Sequence, residues 1–115
     1  PVIIALRAAS HICFALLGAV LIRKIPEIIE KPLPSTVFNG GLAFVHALAE
    51  VAVVSPFFLA GSIFKPEQLA DGYVMSVLVL VGVGTFLHSL IDYTVSIMLW
   101  KPVRAALPSL AELRE

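Results

Sequence analysis

Three histidines in this chain each stand four residues from a charged side chain: His11 after Arg7, His46 before Glu50 and His88 before Asp92. On a helix, a spacing of four puts both members of a pair on one face. Imidazole, carboxylate and guanidinium are the groups that relay protons, hold cofactors or bind ions, and each pair lies inside a strongly apolar run. A charged side chain at the centre of a membrane helix costs about 2.5 to 3.5 kcal/mol on insertion scales, so such groups are expected to face protein, water or a bound molecule.

The polar faces continue along each run. Asn39, Ala43, His46 and Glu50 align in the second, and Thr85, His88, Ser89, Asp92 and Ser96 in the third. The first offers Arg7, His11, Ala15 and Gly18, whose small residues let a neighbouring helix approach closely. At a rise of about 1.5 Å per residue, His11, Glu50 and His88 fall within roughly 3 Å of the bilayer midplane. His46 falls about 6 Å and Asp92 about 8 Å to one side of it, and Arg7 about 7 Å to the other. The spacing predicts that the three faces converge on one intramembrane band.

The elements that position this band follow from composition. The chain has 115 residues, 59% of them hydrophobic and 14% charged, and a mean hydropathy of +0.99. Soluble domains are roughly half apolar and a quarter charged, so the expectation is an all-α integral membrane protein with three transmembrane helices and short loops. The spans are expected at about 2–22, 37–64 and 73–100, in a single membrane domain covering 1–115. The first run lacks a basic leader region and a small-residue cleavage site, so it is read as a retained helix.

The segment RKIPEIIEKPLPS breaks the chain between the first two spans, with Ser35 or Thr36 expected to cap the second. Pro56 is expected to kink that helix, and KPVR to stop the third. The tail, 101–115, is expected to be cytoplasmic, with its AALPSLAELRE segment, 105–115, forming a short amphipathic helix. Arg23, Lys24, Lys31, Lys101, Arg104 and Arg114 collect on one side of the membrane, against Lys65 and Arg7 toward the other. Basic residues favour the cytoplasmic side, which predicts the N-terminus outside and the C-terminus inside. Tyr73 and Trp100 suit the two interfacial belts.

Several classes are excluded. Net charge is zero and no basic run is interleaved with aromatics, so nucleic acid is not an expected partner. Cys13 is the sole cysteine and builds neither a disulfide nor a metal knuckle alone; it reads as a small buried hydrophobe. Ser10 beside His11 and Ser89 beside His88 are sequence neighbours that do not face each other on a helix, so nucleophilic catalysis has little support. Three histidines and two carboxylates outnumber the ligands zinc or iron needs, yet no His-x-x-His or Glu-x-x-His pair is present, and the metal is left unknown. Gly82 and Gly84 read as helix-packing positions, and Met75 and Met98 as lipid-facing or packing residues.

Two chemistries remain. A neutral imidazole in an apolar bundle is a usual axial ligand, so His11, His46 and His88 are candidates for haem b or a chlorin pigment. His88, Ser89, Asp92 and Tyr93 offer hydrogen-bond partners for a quinone. His88 beside the Asp92-Tyr93 pair resembles, over these few residues, the membrane anchors of succinate dehydrogenase, with a shorter spacing than that family has.

The leading expectation is therefore a small subunit of a larger redox or energy-converting membrane complex, taking part in electron transfer and not an enzyme on its own. The alternative is a homo-oligomeric proton-coupled transporter or ion channel, with Arg7, Glu50 and Asp92 as its relay. A third is a structural adaptor. All three place the chain in a lipid bilayer with other membrane subunits or further copies of itself.

Overall fold

The computed structural model describes residues 2–106, so most of the expected tail helix (107–115 of 105–115), Arg114 included, lies outside the described residues. Helix α1 covers Val2–Lys24 and is followed by a 3-10 turn at Pro26–Ile29. Helix α2 covers Pro32–Leu59, and the short α3 covers Pro66–Ala70. A π-helical stretch, Val74–Val83, runs straight into α4, Gly84–Ala106. No strand occurs among the described residues.

Three stretches, Val2–Lys24, Pro32–Leu59 and Val74–Ala106, are long and apolar enough to cross a membrane. The shortest has 23 residues, and at about 1.5 Å per residue it exceeds the roughly 30 Å hydrocarbon core. The chain is an all-α integral membrane protein.

Helix ends depart from the sequence expectation for local reasons. Helix α2 begins at Pro32 rather than near Val37, because a proline in the first turn has a helical φ and lacks only an N–H that would have no intrahelical partner. Ser35 does not cap it; its hydroxyl meets Tyr93 Oη at 2.9 Å, while Thr36 donates back to the Pro32 carbonyl. At the other end α2 stops at Leu59 rather than near Phe64. Gly61 takes a left-handed φ of 63°, Ser62 N–H reaches the Phe57 carbonyl and Gly61 N–H that of Phe58. That crossed pair is the glycine-terminated C-cap that a side chain with Cβ would resist. Pro102 lies inside α4 instead of stopping the third span.

Helix α2 is central. Helix α1 packs on it, as do the π stretch and α4, while direct contact between α1 and the third span is slight. Two glycines set the approach. A Cβ on Gly18 would lie 3.2 Å from Leu42 Cδ1, and one on Gly82 would lie 3.1 Å from Val51 Cγ2. Gly84 meets nothing within 4 Å, so of the two expected packing glycines Gly82 alone fills that role.

Burial is inverted relative to a soluble protein. Ser10, His46, Glu50, Ser76, Thr85 and Ser89 are buried, whereas Ile91, Met75 and Met98 are exposed. Lipid solvates apolar side chains as well as a protein core does, so small and polar groups occupy the helix seams. Cys13 is exposed, correcting its expected burial: it lies on a face of α1 that α2 does not cover.

Candidate functional site

Glu50 is the focus of the buried polar groups. Its side chain is 0% exposed, and Arg7 Nε of α1 donates to Oε2 at 2.5 Å. The other oxygen, Oε1, lies 2.6 Å from Ser10 Oγ, which also lies 2.7 Å from the Arg7 carbonyl. A hydroxyl has one proton, so Ser10 serves one of these acceptors at a time. Arg7 and Ser10 are three residues apart and so project from one side of α1, which lets both reach a single carboxylate on α2.

His46 sits one turn before Glu50, also fully buried. Its Nδ1 is 2.7 Å from Ser89 Oγ of α4, and its Nε2 has no hydrogen-bond partner among the described residues. That nitrogen is 3.9 Å from Glu50 Oε1, beyond hydrogen-bond reach. Phe14 stacks on the His46 ring with centroids 4.8 Å apart, and His11 meets it edge-on at 4.2 Å. His11 Nδ1 pairs with the Arg7 carbonyl at 2.9 Å. Two sets of polar contacts thus tie the helices together: Arg7 and Ser10 of α1 to Glu50 of α2, and His46 of α2 to Ser89 of α4.

The remaining candidates lie apart. His88 Nε2 and Asp92 Oδ2 are 3.0 Å from each other, but their side chains are 64% and 56% exposed. Neither side chain is hydrogen-bonded to Glu50 or His46. Tyr93 bonds Ser35 at the far end of α2, and Asn39 Nδ2 donates to the Leu90 carbonyl nearby. Of the residues singled out in the sequence, Arg7, His11, His46, Glu50 and Ser89 come together, while His88, Asp92 and Tyr93 do not join them. Ser10 was passed over because it was weighed only against its neighbour His11. Its spacing of three from Arg7 was the signal that could have found it.

Ligand atoms of His11, His46 and Glu50 fall within 4.8 Å of one another, the arrangement of a possible metal site. The chemistry of the set fits a cation poorly. Both Glu50 oxygens are already engaged, and the Arg7 guanidinium 2.5 Å away would repel a divalent ion. Nor does the set suit a tetrapyrrole, since His11 and His46 are in contact rather than on opposite faces of a gap.

A cleft of about 570 Å³ opens between α1 and the third span, at the end of the bundle carrying α3. Arg7 lies on its α1 wall and Thr85 and His88 on the opposite one; Val54, Phe64 and Leu80 supply apolar surface. A second groove, of about 480 Å³, lies at the other end among Ile29, Trp100, Lys101 and Arg104. That mixture of aromatic and basic groups is typical of a membrane interface.

No protein-family model and no solved structure matches the chain. Over 103 residues, 90% of its length, it is 30% identical to the niacin transporter NiaX of Lactococcus lactis subsp. cremoris (strain MG1363). Those residues make up 45% of that protein, so the chain spans under half the length of the relative it matches. This similarity overturns the leading expectation of a redox or energy-converting subunit carrying haem, quinone or pigment on His11, His46 and His88. Shared depth does not bring all three histidines together: His11 and His46 are in contact, whereas His88 pairs with Asp92 and is exposed on the cleft wall. What the chain is similar to is a membrane transporter.

Proposed function

We propose that this chain forms part of a membrane transporter for small pyridine carboxylates of the niacin kind. The observation that carries the proposal is the 30% identity to a niacin transporter, sustained over 90% of the chain. The fold supports it in two ways. A cleft of small-molecule size enters the bundle from one end, and an ion pair lies where the cleft meets the bundle interior.

The orientation belongs to the same proposal. Arg23, Lys24, Lys31, Lys101 and Arg104 flank the end away from the cleft, and Lys65 stands at the cleft end. With the basic end cytoplasmic, the N-terminus lies outside and the cleft opens to the exterior. Residues 1–115 act as one membrane domain beside further transmembrane helices, from other chains or further copies. The exposed Asp92 carboxylate supports this, because a charged side chain facing hydrocarbon would be costly.

The test is uptake of radiolabelled niacin by cells or proteoliposomes carrying the full-length protein. Accumulation that unlabelled niacin competes away is the expected result. Absence of both uptake and niacin binding would overturn the proposal.

A further inference from the structure

We infer that Arg7 is the anchor for the substrate's carboxylate, and that the cleft beside it takes a small planar aromatic monocarboxylate. The inference rests on the transporter reading above and names the group that recognises the substrate.

Arg7 is divided between two environments. Its Nε is committed to Glu50, whose side chain is fully buried, yet the Arg7 side chain is 49% exposed and lines the cleft. Among the described residues no group accepts a hydrogen bond from its two terminal nitrogens. A guanidinium presents five N–H donors in a rigid plane, and its terminal pair matches both oxygens of one carboxylate. The edge facing Glu50 is held and the terminal edge is free.

Holding matters as much as charge. An unsupported arginine side chain would lose several rotamers on binding, a cost that pre-ordering removes. Glu50 has no freedom of its own, being fixed by Ser10 and buried by the packing of α1 on α2. Glu50 and Ser10 are therefore positioning residues for Arg7. The apolar walls, with Phe64, Leu80 and Val54, suit the faces of an aromatic ring, and Thr85 and His88 supply polar atoms across from Arg7. A volume of about 570 Å³ accommodates a single ring with room for water.

The full-length protein, extracted in mild detergent, is titrated with niacin and with nicotinamide, which keeps the ring and replaces the carboxylate by a neutral amide. Niacin is expected to bind about 10- to 100-fold more tightly, the range of a charge-assisted bidentate pair. In the double variant Arg7→Gln, Glu50→Gln, which leaves no lone buried charge, that preference is expected to fall to within about threefold. A second measurement needs no variant. Niacin, and not nicotinamide, should protect Arg7 from phenylglyoxal, read by mass spectrometry of the modified peptide. A double variant that keeps the parent's preference, or equal labelling of Arg7 with and without niacin, would overturn the assignment. A parent protein that binds both compounds alike removes the role of Arg7 and leaves the transporter reading standing, whereas one that neither binds nor transports niacin removes both.

Discussion

His46 of α2 and Ser89 of α4 are joined by a 2.7 Å contact between Nδ1 and Oγ, both side chains buried. This is a fully buried polar cross-link between the central helix and the third span, and it leaves the opposite ring nitrogen facing Glu50 without a partner. Removing the hydroxyl would leave both imidazole nitrogens unpaired in an apolar interior. Ser89→Ala is expected to lower stability by about 1–2 kcal/mol. Ser96→Ala, at an exposed position on the same helix, should change it by less than about 0.5 kcal/mol. Thermal unfolding in detergent of the two variants decides the matter.

Arg7 and Glu50 should behave as a unit. Either single neutralisation leaves the other charge without its partner, while the double variant Arg7→Gln, Glu50→Gln leaves none. A double-mutant cycle on unfolding free energy is expected to give a coupling of about 1–3 kcal/mol. Additive single effects would show that the 2.5 Å pairing contributes little to holding α1 on α2.

The exposed pair predicts the reverse. His88→Ala and Asp92→Ala remove side chains that are more than half exposed, and a surface ion pair is worth about 0–1 kcal/mol. Unfolding of the isolated protein should be almost unchanged by either. Where further helices cover the pair in the membrane, the same substitutions reduce recovery of the assembled complex on size-exclusion chromatography.

Gly82 and Gly84, where the π stretch passes into α4, should separate cleanly. In a helix, Gly→Ala is favourable by up to about 1 kcal/mol where space permits. Gly84→Ala meets open space and is expected to be neutral or slightly stabilising. Gly82→Ala puts a methyl 3.1 Å from Val51 Cγ2, so that gain is lost to displacement of the valine and α2 is pushed away. Comparison of their midpoint temperatures distinguishes the two positions.

Much of the fold was legible because apolar run length and helix-breaking residues act locally. Three spans follow from hydropathy, and Gly61 ends α2 by a rule of backbone conformation. The proline-rich start of α2 was misread as loop, although Pro32 in a first turn costs no hydrogen bond. The site was legible in part. Spacing of four correctly put His46 and Glu50 on one side of α2, but it does not fix how one helix is rotated against another. On α4 the seam with α2 follows Ser89, Tyr93 and Ile97, all buried or half-buried, so His88 and Asp92 fall beyond its edge. Single-helix periodicity groups these residues; only the partner's position separates them.

Because α1 and the third span each rest on α2 and scarcely on one another, the bundle has two separable joints. The joint between α1 and α2 depends on a close glycine approach at Gly18 and on the Glu50 ion pair, set several turns apart along α1. Loosening the second while the first stays seated would let α1 pivot like a gate leaf on its post, widening the mouth beside Arg7 with the α2–α4 packing intact.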